Sequence, residues 1–250
     1  SMAYTHGNTL LLIKRANKYF PLLAPILKKN GVPNDLLYLA CVESTLNQRA
    51  YSPAKAAGLW QFIPSTARQY GLEVNEWVDE RYNIEKETEA ACKYLKKAYG
   101  MYGNWESAAA SYNGGTNRIT TELESQLATS AFDLYLVDET SRYMFRILAT
   151  KLIMENPTKY GFHLKAHQLY QPVDFTTVEV NTPVADWPSW AEDHGITYSQ
   201  LREANPWIRA KSLPNKTSKT YMVKIPKKDS LFRSKAGIHV YNTNWVKHKD

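Results

Sequence analysis

The chain has 250 residues, 44% of them hydrophobic and 22% charged, with 31 Lys and Arg against 24 Asp and Glu. That is long enough to bury one large core or two unequal ones, and too apolar for a disordered chain. The net charge of +7 is spread, with 19 basic and 16 acidic side chains in residues 1–165 and 12 and 8 in residues 166–250, so no nucleic-acid-binding arm stands out.

The apolar runs around Leu10–Ile13, Leu36–Val42 and Phe145–Met154 all fall short of the roughly 18 residues a membrane-spanning helix needs. Ser1–Asn8 lacks the basic start and apolar stretch of an export signal. Cys41 and Cys92 are too few for a disulfide scaffold or a four-cysteine zinc site. They read as two buried thiols, with a single bridge in an oxidising compartment as the other reading.

In chain order, Leu10–Leu27 has helical periodicity, interrupted at Pro21 and Pro25, and Asn30-Gly31 ends it. Pro33-Asn34 opens a second helix, with Asn34 or Asp35 as its cap. Tyr51–Gly58 is small, polar and loop-like, and a short helix follows from Pro64 to Gly71. Asn83 caps a longer helix ending at Gly100–Gly103. Asn104 caps Trp105–Asn113, closed by Gly114-Gly115, and Asp138 caps a helix to Asn156-Pro157. Beyond Gly161, Thr176–Val180 alternates as a strand does, Trp187–His194 and Ser199–Ala204 read as short helices, and Tyr221–Ile225 alternates again. The fold class is therefore mainly α: a helical domain over residues 1–165, a small α+β module over 173–230, and a tail of unclear structure over 231–250. Lys165–Pro172 reads as the linker.

Glu43 breaks the pattern. Its same-face neighbours at helical spacing are Leu36, Leu39, Ala40 and Leu46, all apolar. A carboxylate in a core stripe must find a cation or stay protonated. A carboxyl held neutral near pH 7 is what a general acid requires, although structural networks also bury carboxylates.

The segment CVESTLNQRAYSPAKAAGLWQFIPSTARQYGL, followed by VDERYNIEKETEAACKYLKKAYGMYGNWESAAASYNGG and ETSRYMFRILATKLI, resembles the ordered motifs of lytic transglycosylases of the soluble-lytic-transglycosylase type. The resemblance runs from about Leu10 to Met154 and implies a goose-lysozyme-like helical catalytic domain. It implies Glu43, followed by Ser44, as the single acid/base. It further implies substrate contacts from Ser44, Ser52, Gln61 in Gly58-Leu59-Trp60-Gln61, Ile63, Tyr112-Asn113, Glu139 and Tyr143. Ser111 stands where the family has alanine. Singly, each residue also fits a structural role: Tyr112 and Tyr143 as core aromatics, Gln61 as a loop residue, Asn113 as a helix end, Glu139 at a helix N-terminus. Their joint order favours the site.

The implied reaction breaks the bond between N-acetylmuramic acid and N-acetylglucosamine without water, leaving 1,6-anhydromuramyl ends. The implied partner is the peptidoglycan glycan strand and the implied location the cell envelope or periplasm. No cofactor, metal or nucleic acid is expected, and membrane attachment would need a segment outside this chain. A hydrolytic muramidase and a non-catalytic peptidoglycan-binding protein are the alternatives. Residues from Thr177 to Ile208, with Tyr221–Pro226, resemble a LysM module, although Thr182-Pro183-Val184 departs from its usual start. Trp187, Trp190 and Trp207 fit either sugar stacking or a small core. His163 and His167, four apart, lack a third ligand at metal-binding spacing.

Overall fold

The computed structural model describes residues 6–135, 138–232 and 237–246, and leaves out the side chains of Asp138 and Glu139. The first helix, α1 (His6–Lys29), runs unbroken through Pro21 and Pro25, where the sequence suggests interruptions. An interior proline costs about 3 kcal/mol by removing a hydrogen bond and crowding the preceding turn. The stripe Leu12, Ile13, Ala16, Phe20, Leu23 and Leu27 is almost fully buried, and each large side chain recovers about 1.5–3 kcal/mol. Burial wins.

The second helix begins differently from the expectation. A 3-10 turn over Asn34–Leu36 precedes α2 (Leu37–Ser44), and no side chain caps it. Asp35 instead pairs with Lys151 at 2.6 Å, so the expected cap is spent on a helix across the domain. Then come α3 (Pro64–Gln69), α4 (Ile84–Tyr102), α5 (Trp105–Gly114), α6 (Thr116–Ser125) and α7 (Asp138–Glu155). Asn83 and Asn104 cap α4 and α5 by accepting from Lys86 N at 3.1 Å and Ser107 N at 2.8 Å. Gly103 ends α4 in the left-handed conformation. Helix α6, whose charged and polar sequence buries Ile119, has no counterpart among the expected elements.

The second module pairs β1 (Phe175–Val180) with β2 (Tyr221–Pro226) antiparallel, from Phe175 opposite Pro226 to Val180 opposite Tyr221. Between them lie α8 (Trp187–Asp193) and α9 (Tyr198–Ala204). Trp187 and Trp207 are buried in its core, and Trp190 is half-buried, stacked on His194. That core also takes Ala57, Val78 and Tyr82 from the helical domain. The chain continues back onto α1: Trp245 is 1% exposed in the first core and donates Nε1–H to the Met154 carbonyl at 2.6 Å. Cys41 and Cys92 are free and buried.

One buried amide ties these segments together. Asn17, on α1, donates to the carbonyls of Tyr170 (3.0 Å) and His239 (2.9 Å) and accepts from Tyr241 N (2.8 Å). Truncation orphans three main-chain groups at once, each costing about 1–3 kcal/mol where water cannot replace the partner. We expect Asn17→Ala to lower unfolding free energy by about 2–4 kcal/mol. In urea titrations, with limited proteolysis of residues 237–246, unchanged stability and cleavage would contradict this.

Candidate active site

Helix α2 stops directly after Glu43-Ser44 because Thr45 and Leu46 both adopt left-handed backbone, with φ of 51° and 50°. Arg15 Nη1 donates to the Thr45 carbonyl at 3.0 Å, satisfying one of the groups freed at the helix end. Leu46 is buried, as the apolar stripe requires, but it enters the core from this turn and not from the helix. Glu43 therefore sits on the last turn, half-buried. Tyr143, on α7 and itself buried, donates its hydroxyl to Glu43 Oε1 at 2.6 Å. Burial pushes the Glu43 carboxyl above its ordinary value, against the smaller opposing pull of the Tyr143 hydrogen bond and the Arg146 charge. Burial likewise holds the Tyr143 hydroxyl well above its usual range, and Glu43 adds to the effect.

The wall beside Glu43 is the loop from Ala50 to Phe62, folded by two isolated bridges, Tyr51 with Ala57 and Ala57 with Phe62. Gly58, at φ +85°, is its fixed point. A Cβ there would overlap the Arg81 carbonyl oxygen and meet Glu87 Oε2. Ser44 is buried, and its hydroxyl donates to the carbonyls of Ala40 (3.1 Å) and Leu59 (2.9 Å), joining the end of α2 to this loop. Ser52 Oγ accepts from Ala56 N at 3.1 Å and closes the tip. Gln61 has φ of 52°, a strained choice for a residue with a side chain, and its amide nitrogen donates to the Gly58 carbonyl at 2.8 Å. Ile63 stays 41% exposed at the start of α3, an apolar side chain open to a ligand.

Tyr112 closes the group from α5. Its hydroxyl donates to the Trp60 carbonyl at 2.8 Å, and its ring packs edge-on against Trp60, Phe62 and Tyr94. Burial raises its hydroxyl pKa, and both Glu43 and Glu87 add to the rise, so Tyr112 lies within the fields of both acids. Asn113, next on the helix, is exposed. Ser111 is fully buried and satisfies its hydroxyl on the Ala108 carbonyl at 2.8 Å. Glu139 belongs to α7, but its side chain lies outside the described residues. Thus Glu43 and Tyr143 are in direct contact, while Ser44, Ser52, Gln61 and Tyr112 form and fasten the wall.

Two supporting residues escape the sequence reading. Arg81, 4% exposed, forms a fork with Asp79 (Nε to Oδ1 2.9 Å, Nη2 to Oδ2 2.7 Å) and donates Nη1 to the carbonyls of Lys55 and Phe62. Glu87 is fully buried and accepts from Trp60 N at 3.2 Å. Its pKa is pushed well up by burial, which disfavours the ionised form behind the loop. The test that singles out Glu43 finds it too: on α4 its same-face neighbours are Ile84, Ala90, Ala91 and Tyr94. Arg81 gives no such signal, because it lies in a 3-10 turn where no period exists to be broken.

Fold and site together define a lysozyme-like helical scaffold in which Glu43 is half-buried in front of the loop and Glu87 sealed behind it, and comparison with known proteins identifies the two domains. Residues 22–134 match the transglycosylase SLT domain, and residues 176–229 match the soluble lytic transglycosylase C-terminal LysM-like domain. The chain therefore carries an SLT-type transglycosylase domain followed by a LysM-like domain, in that order. Over 231 residues it is 32% identical to membrane-bound lytic murein transglycosylase D of Escherichia coli (strain K12), covering 90% of this chain and 49% of that one. It is 36% identical over 123 residues to peptidoglycan transglycosylase gp16 of Escherichia phage T7, covering 48% of this chain and 9% of the phage protein. The solved soluble lytic transglycosylase SLT70 of Escherichia coli aligns with a TM-score of 0.48 and 23% identity, over 55% of this chain and 24% of that one. The chain spans about half the length of the transglycosylase D it matches.

Two outcomes follow from this geometry. Gly58→Ala is expected to cost more than about 3 kcal/mol, because strained φ and backbone overlap add. A melting temperature equal to that of the parent chain would refute the close approach. The second concerns pH. A carboxyl whose folded pKa is raised adds stability below its unfolded pKa and loses it as pH rises through the folded value. Glu43→Gln should therefore gain stability relative to the parent as pH rises from about 4 to 8, measured as paired melting curves. A gap that shrinks with rising pH would mean Glu43 is held ionised.

Proposed function

We propose that this chain is a peptidoglycan lytic transglycosylase of the cell envelope, with residues 1–165 as its catalytic domain, 173–230 as a LysM-like module and 231–250 as a tail. It cleaves the β-1,4 bond between N-acetylmuramic acid and N-acetylglucosamine and leaves 1,6-anhydromuramyl ends. The observation that carries the reading is the Glu43–Tyr143 hydrogen bond at 2.6 Å, on a carboxyl whose pKa burial raises.

The chemistry follows from that contact. Tyr143 occupies Oε1, so the acid proton sits on Oε2, free for the glycosidic oxygen. Glu43 donates it as the bond from C1 to that oxygen breaks. Retaining and inverting glycosidases commonly set a second carboxylate across the bond. Among the described residues the side chains that act on Glu43 are Tyr143 and Arg146, neither of them an acid. In this reading the substrate's own N-acetyl oxygen stabilises C1. Glu43, now ionised, takes the proton of the muramyl C6 hydroxyl, whose oxygen closes onto C1. One proton is given and one returned, and no water is consumed. Gln61, Asn113, Ser52, Tyr112 and the apolar Ile63 hold the sugars in register.

Mass spectrometry of digests of purified sacculi tests the reading. The parent chain should release anhydromuropeptides, and Glu43→Gln should lose about 10²–10⁴-fold in rate, the usual contribution of a positioned acid/base. Reducing muramyl ends would make the enzyme a hydrolase, and no soluble product would make it a binding protein. Tyr143→Phe should reduce turnover about tenfold. It should also shift the alkaline limb of the rate profile upward, since the lost hydrogen bond holds the Glu43 pKa down. An unshifted limb would separate Tyr143 from Glu43 ionisation.

A further inference from the structure

Where the two domains meet there is a cavity of about 570 Å³, lined by Arg49, Tyr51, Asp79, Arg81 and Tyr82 of the helical domain and by Arg202, Pro206 and Arg209 of the module. Four guanidinium groups against one carboxylate is an unusual balance for a hollow, and the pairing within it sharpens the point. Arg81 and Asp79 consume each other, and Arg81 spends its remaining nitrogen on two carbonyls. Arg49 reaches Glu203 at 3.0 Å across an exposed rim. Among the described residues, Arg202 and Arg209 have no acid partner. Arg202 donates Nη1 to the Tyr198 hydroxyl at 2.7 Å, but its buried Nε has no hydrogen-bond partner among them. Arg209 lies over the Tyr82 ring at 4.8 Å and makes only a long contact, 3.5 Å, to the Pro206 carbonyl.

Arg202 is half-buried with one buried donor unpaired and Arg209 is exposed, so both guanidinium groups are open to an anion that would satisfy that donor. Guanidinium forks match planar carboxylates two bonds at a time. The hollow is also continuous with the loop beside Glu43. Tyr51 precedes Ser52, and the Ala50 carbonyl between Arg49 and Tyr51 accepts from Gly58 N at 3.1 Å and Gln61 Nε2 at 3.4 Å. An anion bound there lies beside the wall along which a glycan strand would run.

We propose that this cavity binds the carboxylates of the peptide stems that hang from peptidoglycan strands, with Arg202 and Arg209 as the binding side chains. The proposal rests on the glycan-cleaving reading above. It makes the module a contributor to stem recognition through α9 and the Pro206–Arg209 turn. Stem-bearing strands are then preferred over bare glycan.

The test separates binding from turnover. The full chain carrying Glu43→Gln is titrated by calorimetry with a synthetic L-Ala-γ-D-Glu-L-Lys tripeptide, with the same peptide amidated at both carboxylates, and with inorganic phosphate. The free acid should bind at least tenfold more tightly than the amidated form and than phosphate. Arg202→Gln and Arg209→Gln should each weaken it about tenfold, and Arg209→Lys should recover part of that loss. Circular dichroism melts of the variants check that the domains remain docked. Equal binding of the amidated peptide, or of phosphate, or indifference to both arginine substitutions in folded protein, overturns the site. A parent chain that releases no anhydro product from sacculi overturns the enzyme reading instead. With turnover intact, the arginine variants should lose about tenfold in kcat/KM on stem-bearing strands and nothing on strands stripped of stems. Equal losses on both would assign these arginines to domain docking and overturn the proposal.

Discussion

The close approach at Gly58 is the constraint on which the site depends. The chain there passes against the Arg81 carbonyl and the Glu87 carboxyl with no room for a Cβ. Everything that faces Glu43 from this side hangs on that passage: Leu59, whose carbonyl takes the Ser44 hydroxyl; Trp60, whose carbonyl takes Tyr112; and Gln61, folded back onto Gly58 itself. Arg81 secures it a second time, because one guanidinium holds Asp79 and the carbonyls at both ends of the turn, Lys55 and Phe62. Breaking a buried pair by removing one partner costs about 3–5 kcal/mol, because the remaining charge stays buried. The loop is therefore held stiff without regular secondary structure.

Glu43 and Glu87 make an instructive pair. Both interrupt an apolar helical stripe, and burial lifts the pKa of both. They differ in access. Glu87 is sealed: Oε2 accepts from Trp60 N in the Gly58 turn, and Oε1 is buried with no hydrogen-bond partner among the described residues. Glu43 stands at a helix end, half-buried, with a phenol on one oxygen and the other available. A raised carboxyl pKa alone does not separate a reactive acid from a structural one; the direction in which the carboxyl opens does.

What the sequence discloses follows the same division. Caps at Asn83 and Asn104, the stops at Gly103 and Gly115, and both strands of the module are local, and local chemistry writes them plainly. Continuity of α1 through Pro21 and Pro25 is not local, since it depends on what the stripe is buried against. Asp35 looks like a cap until Lys151 arrives from α7, 116 residues away. Glu43 is legible because its misfit is periodic, and its contact with Tyr143 is legible only through the resemblance. Arg81 is illegible because its partners are main-chain carbonyls of a loop.

The docking of the module is the largest feature that neither pattern nor motif announces, and its energetics decide what the module can do. Exposed ion pairs such as Arg49–Glu203 contribute about 0–1 kcal/mol each. The stronger tie is apolar and main-chain. Ala57, Val78 and Tyr82 complete the module's core, Val78 forms a bridge with Ile208, and Asp79 N and Arg209 N donate to the carbonyls of Trp207 and Trp77. Around this seam Lys219 reaches Glu73 and Glu80, and Lys224 reaches Glu85. A unit of about 50 residues seldom buries enough surface to stand firmly alone, so borrowing three core residues from its neighbour is a structural need. The consequence reaches the site directly. The segment that supplies Val78 and Tyr82 also supplies Asp79 and Arg81, so the contacts that complete the small core clamp the arginine that holds the loop beside Glu43. A module swinging on a flexible linker would search a larger volume of wall but leave that segment unsupported on one side. This chain has the other solution, in which the module is packed against the segment that holds the loop beside Glu43.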